Sequence, residues 1–200
     1  MIAMTTTTHR SVLDAVIRII AERGLDGVSI REVAGAAGVS IGTVQYYGRS
    51  KDDLLVAAFE DVVETIGTRW SAEAAKGKVA VALRDAIMAN LPLDEERARE
   101  GRVYIAFLAR AAVDPRLAAV QQRFLAAQRT ACAQGFRIAV DRGQAQPGLD
   151  PVRAAATTVA LVDGLLVQLL TDPSGLSHAL VLKIIKDHLA RYLLPRSHRR

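Results

Sequence analysis

Three helix-start signals crowd into the stretch from Val28 to Leu55, and their spacing constrains this chain more than any bulk property. Ser29 followed by Glu32 has the pattern of a capping box, which opens a helix by satisfying free backbone N–H groups. Ile30, Val33, Ala34 and Ala37 then recur at helical spacing and give that helix one apolar face. Gly38 stands where a left-handed C-terminal cap is needed, and Ser40 caps the next helix, Ile41 to Tyr47. Ser50 with Asp53 opens a third. Connections this short force tight turns between short helices. The result is a helix-turn-helix, whose second helix fits a DNA major groove.

The rest of the chain is punctuated the same way. Thr8 caps a first helix running to Arg23, with Gly24 as its stop. The helix from Ser50 is long and reaches about Ala75. Val79–Asn90 ends before Pro92, and Asp94 starts another helix. Asp114-Pro115 and Asp150-Pro151 each place proline at a first helical position. They open helices to about Arg142 and Leu170, and a last helix runs to about Leu193. No strand-like alternation stands out. The fold expected is all-α with about nine helices: a three-helix bundle over residues 1–52, then a larger helical domain over 53–200. Half of the residues are hydrophobic but only 4% are aromatic, so the core must be mostly Ala, Val, Leu and Ile, which suits close-packed helices.

The net charge of +5 favours an anionic partner. The first sixty residues do not carry that excess. There Arg10, Arg18, Arg23, Arg31, Arg49 and Lys51 face Asp14, Glu22, Asp26, Glu32, Asp52, Asp53 and Glu60. DNA affinity must therefore come from hydroxyls, helix N-termini and a few local cations. The lone cysteine, Cys132, excludes an internal disulfide, fits a reducing cytoplasm and reads as a core residue. Ala154–Leu170 is interrupted by Thr157, Thr158, Asp163 and Gln168 and reads as a buried helix rather than a membrane span. There is no glycine-rich phosphate loop and no HExxH pair, and His9, His178, His188 and His198 do not cluster in sequence. No enzyme activity, metal or cofactor is expected.

The segment from Ser29 to Leu55 resembles the DNA-binding motif of the tetracycline-repressor (TetR) family. The matching residues are Ser29–Ala34, Gly38–Val44, Tyr46-Tyr47 and Ser50–Leu55. Leu91–Glu96 and Leu161–Leu165 resemble the ligand-binding half of the choline-responsive betaine regulators within that family. The resemblance implies phosphate contacts at Ser29, Thr43, Tyr47 and Lys51, and groove-facing roles for Ser40, Ile41, Gln45 and Tyr46. Gly42 lets the backbone approach DNA, and Arg31 completes the DNA-binding set. The family carries an aromatic where this chain has Gly48. Its loss predicts a loosened recognition helix, which Gly48→Phe would tighten.

In the larger part, Trp70, Tyr104, Phe107 and Phe124, with Gln128, are the expected lining of a ligand cavity. Val159, Val162, Leu166 and Leu169, with Leu180 and Ile184, are the expected dimer seam, since the last two helices are apolar on more than one face. Asp163, inside an apolar helix, needs a partner. The function expected is a cytoplasmic, ligand-responsive transcriptional regulator, a repressor. As a homodimer it would bind a palindromic double-stranded DNA operator and answer to a small-molecule effector, away from any membrane. The alternative is a helical interaction or architectural module with a weakened DNA-binding motif.

Overall fold

The computed structural model describes the backbone of residues 2–74 and 79–194, and the side chains of 8–69 and 79–194. Among these residues the protein is all-α. The helices are α1 (Ile2–Arg23), α2 (Ile30–Ala37), α3 (Ile41–Tyr47), α4 (Lys51–Ala74), α5 (Val79–Ala89), α6 (Glu95–Ala111), α7 (Pro115–Asp141), α8 (Pro151–Thr171) and α9 (His178–Ala190). A single 3₁₀ turn, Leu25–Gly27, joins α1 to α2. Two boundaries differ from the sequence reading. Thr8 lies inside α1, which begins at Ile2; a threonine hydroxyl serves a cap or a helix interior equally well. The last helix stops at Ala190. There the chain turns, and Leu193 pairs with Ala145 through bonds from Gln146 N–H to Tyr192 O and from Leu194 N–H to Gln144 O.

The chain divides into two compact units, Met1–Thr65 with Arg102–Gln122, and Ile66–Gly101 with Arg123–Arg200. In the first, Val12, Val16 and Ile19 of α1 are buried together with Val33 of α2 and Val44 of α3. Five such side chains contribute roughly 1.5–3 kcal/mol each, enough to hold helices too short to persist alone. Phe59 of α4 stacks on Phe107 of α6, with ring centroids 4.6 Å apart. Arg10 of α1 donates to Asp61 of α4 at 2.8 Å. Arg116, in the first turn of α7, donates to Asp53 at 2.7 Å. That bond and one from Ser50 hold the Asp53 carboxyl below the usual carboxylate range.

The second unit has its own core, in which Leu83, Ile87, Phe136, Ile185 and Leu189 are buried. Gly135 lets α7 approach Leu83 of α5, because a Cβ there would lie 2.9 Å from Leu83 Cδ2. Its polar interior is satisfied at Thr158 and His188, while Asn90 Oδ1 is buried with no hydrogen-bond partner among the described residues. Thr158 donates to Ala154 O at 2.8 Å, so the proton shared with His188 Nε2 at 2.8 Å must come from the imidazole. Burial, then Arg191, pushes the His188 pKa down, and burial pushes the Cys132 thiol up to about 12. Cys132 is thus an inert core residue.

The α8 helix is long and apolar enough to cross a membrane by length and composition, yet only 39% of its most apolar stretch is buried within the chain. Its inner face carries Ala155, Thr158, Val159, Leu165 and Leu166. Val152 and Val167 are exposed. Among the described residues Asp163 has no ion pair within 4.0 Å: burial pushes its carboxyl up to about 6, and Arg129 offsets only part of that. In the unfolded chain it titrates near about 3.9. The folded state therefore holds the proton longer. The group costs nothing below about pH 4 and destabilises increasingly as pH rises through about 6. Asp163→Asn should stabilise the fold at pH 8 by on the order of 2 kcal/mol, with the gain gone at about pH 4. Denaturant melts at the two pH values measure it, and a parent-like melt at pH 8 would show that the buried carboxylate costs nothing.

Candidate nucleic-acid interface

The helix-turn-helix is built by its caps. Ser29 is extended at φ −145° and its hydroxyl accepts the Glu32 N–H at 3.2 Å. Gly38 takes the left-handed conformation at φ 67°, which glycine adopts without a Cβ penalty. Ser40 then accepts the Thr43 N–H at 3.1 Å and opens α3. The next corner is a true capping box, with Asp53 N–H to Ser50 Oγ and Ser50 N–H to Asp53 Oδ2, each at 3.1 Å.

On α3 the side chains sort cleanly. Val44 is fully buried and roots the helix, while Ile41, Gly42, Gln45 and Tyr46 are exposed, Tyr46 at 78%. An exposed isoleucine and an exposed tyrosine on a seven-residue helix present an apolar and hydrogen-bonding face that none of the described residues covers. The Ser40 and Thr43 hydroxyls lie 2.8 Å apart, so one donates to the other and one proton is left for an outside acceptor. Ser29 accepts in its cap and likewise keeps its proton to donate. Tyr47 is half-buried, its ring 4.9 Å from His9 of α1 and edge-on to Tyr46 at 5.1 Å. Arg31 is exposed on α2. Lys51 turns back toward the 3₁₀ turn, with Nζ 3.4 Å from Asp26 O and 4.0 Å from its carboxylate.

Gly48 corrects the sequence reading. It ends α3 at φ −162°, extended backbone that any residue adopts, and its N–H bonds to Val44 O at 3.0 Å. It is buried, and a Cβ built there would lie 2.7 Å from Leu54 Cδ2 and 3.1 Å from the Leu54 backbone nitrogen. Leu54, itself fully buried, already fills the place of the missing aromatic. The corner is tight rather than loose.

The residues expected to line a ligand cavity fall in both units. Tyr104 and Phe107 belong to the first, where Phe107 is sealed against Phe59 and the Tyr104 hydroxyl accepts from Gln121 Nε2 at 2.9 Å. Phe124 is buried and Gln128 half-exposed in the second unit, and the Trp70 side chain lies outside the described residues. Gln121, which the spacing of α7 sets on one face with Phe124 and Gln128, has its Oε1 buried with no hydrogen-bond partner among the described residues. Sequence spacing missed a groove of about 450 Å³ lined by Met88, Leu93, Arg97, His178 and Leu182, in which none of the expected residues takes part. Of the expected seam, Val159 and Leu166 are buried in the chain's own core, Val162, Leu169 and Ile184 are half-buried against it, and Leu180 is exposed. Hydrophobic spacing on an all-round apolar helix does not say which stripe faces inward.

Comparison with known proteins matches this geometry. Residues 12–58 match the bacterial regulatory proteins of the tetR family, and residues 80–194 match the BetI-type transcriptional repressor C-terminal domain. The chain is 30% identical over 192 residues to the HTH-type transcriptional regulator BetI of Burkholderia mallei, covering 92% of each protein. A transcriptional regulator from Rhodococcus sp. Rha1 superposes with a TM-score of 0.79 at 33% identity, over 91% of this chain and 94% of that one. One from Saccharomonospora viridis, solved in complex with choline, superposes with a TM-score of 0.84 at 24% identity, over 96% of this chain and 100% of that one. The chain belongs to the TetR family, with a BetI-type C-terminal half, and is a DNA-binding transcriptional regulator.

Proposed function

We propose that the protein is a cytoplasmic homodimeric repressor that sets one α3 helix into each half of a palindromic operator and is released by a small organic effector. The observation that carries the reading is the exposed face of α3, where Ile41, Gln45 and Tyr46 stand out from a helix rooted by buried Val44. Gln45 is the one amide on that face, and an amide can accept from N6 and donate to N7 on the major-groove edge of one adenine at once. Operator selection from random duplexes, followed by affinity measurements, tests this. Gln45→Ala should lose about 1–3 kcal/mol on the selected sequence and relax preference at one base pair per half-site. A variant with the parent's affinity and preference removes Gln45 from the base-reading set.

Coupling to an effector is supported by chain path. Helices α4, α6 and α7 each run from one compact unit into the other, and Arg116 of α7 grips the capping box at the start of α4 through Asp53. The buried, unpartnered Gln121 Oε1 beside Tyr104 invites a hydrogen-bond donor. Choline carries a hydroxyl and is bound by a fold neighbour, so it is the first effector to try. Trp70 is the sole tryptophan and lies on α4. The true effector should change its emission over the same concentrations that weaken operator binding. One that binds free and DNA-bound protein equally is not the regulatory signal.

A further inference from the structure

The cations around the reading head are nearly all spent inside the protein. Arg10, Arg23, Lys51, Arg110 and Arg116 each face a carboxylate within 4.0 Å. Arg18 donates to Ala36 O at 2.6 Å. Arg31 on α2 and Arg49 are the two that are exposed and, among the described residues, have no such partner; of these Arg49 follows the recognition helix directly. It stands in the three-residue link from α3 to α4, four positions beyond Gln45. Its backbone is held on both sides, by Gly48 N–H to Val44 O at 3.0 Å and by the Ser50–Asp53 capping box. The side chain is thus a free guanidinium on a fixed stem at the exit of the recognition helix. Lys51 differs. Its ammonium already faces the Asp26 carboxylate at 4.0 Å, which offsets part of its charge toward an incoming anion.

Phosphates border the major groove on both sides of an inserted helix, and guanidinium groups bind them in a planar, two-pronged contact. We propose that Arg49 is a DNA-phosphate contact of this protein and carries a larger share of its ionic binding than Lys51. The inference rests on the reading of α3 as the recognition helix. It assigns Arg49 to affinity rather than sequence choice, since a phosphate carries no base identity.

The test uses the full-length protein with its selected operator and an unrelated duplex of equal length, titrated from about 50 to about 300 mM salt. Arg49→Ala should weaken both duplexes about tenfold at low salt and lower the slope of log affinity against log salt by about one per half-site. Arg49→Lys should keep most of that slope, and Arg49→Gln should lose it. Lys51→Ala should change the slope less than Arg49→Ala does. Thermal melts of the Arg49 variants should match the parent, because the exposed side chain makes no hydrogen bond or ion pair among the described residues. A parental slope in both Arg49→Ala and Arg49→Gln overturns the inference, as does a larger loss in Lys51→Ala. A parent that prefers no sequence overturns the recognition-helix reading itself, and is seen before any variant is made.

Discussion

Phenylalanine at position 48 should destabilise the reading head by several kcal/mol. The family's aromatic at this position makes the opposite result attractive, since a buried ring contributes about 1.5–3 kcal/mol where space exists. Here there is none. The first side-chain atom of any replacement would meet Leu54 Cδ2 at 2.7 Å, Leu54 Cγ at 3.0 Å and the Leu54 backbone nitrogen at 3.1 Å. The leucine side chain can rotate, but the nitrogen sits in the first turn of α4 beside the capping box, with its N–H bonded to Ser50 O at 3.2 Å. Moving it opens the α3–α4 corner. Overpacking of a filled core typically costs about 1–3 kcal/mol, so Gly48→Ala should cost that much and Gly48→Phe more. Trimming the obstacle is the control. Leu54→Ala should be destabilising alone by about 2–5 kcal/mol, yet Gly48→Phe on that background should be partly tolerated, a non-additivity of about 1 kcal/mol or more. Denaturant melts of the four proteins complete the cycle. A Gly48→Phe protein as stable as the parent would mean that Leu54 yields easily and that the aromatic's usual place is still open.

That reversal shows where legibility ends. Ser29, Ser40, Asp94, Asp114 and Asp150 announce helix ends because an N-cap is a bond between a side chain and backbone two or three residues away, and Gly38 announces one because its left-handed backbone closes on carbonyls of the preceding turn. Nothing distant is needed to read it. The exposed face of α3 is also local, because burying Val44 fixes which neighbours point out. What fills the space beside Gly48 depends on the direction α4 takes, which no spacing within α3 records. Arg49 looked like any surface arginine until its neighbours' charges were seen to be paired. The end of α9 was misplaced for a similar reason: its last turn gives way to bonds from Gln146 and to Gln144, some fifty positions earlier in the chain.

The stripes of α8 are the clearest case, and they redirect the remaining large effect. Charge at Leu166 would report on folding, not assembly, because Leu166 is already inside the chain, where its Cδ1 would lie 3.1 Å from a Cβ at Gly101 of α6. A seam between two copies must use surface that the single chain leaves uncovered. On α8 that is the stripe Val152, Ala156, Ala160 and Val167, with Gly164 beside it opening onto free space, and on α9 it is Leu180. Small residues along such a stripe let a partner helix approach closely, and the exposed valines and leucine supply apolar area. Val167→Arg combined with Leu180→Arg should leave the monomer folded, since both side chains stand in solvent. In a two-fold assembly the same variant places like charges from both copies in one seam, and burying them unpaired costs several kcal/mol. Light scattering should therefore find monomers where the parent is dimeric. Operator affinity should fall by at least about a hundredfold, because each half-site must then be held alone. Leu166→Arg, by contrast, should lose its cooperative melt. If the double variant stays dimeric with full operator affinity, the seam lies on other elements. A parent that is already monomeric at micromolar concentration would remove the basis for reading two half-sites at once, and α8 would then need another account of why so apolar a helix is left uncovered.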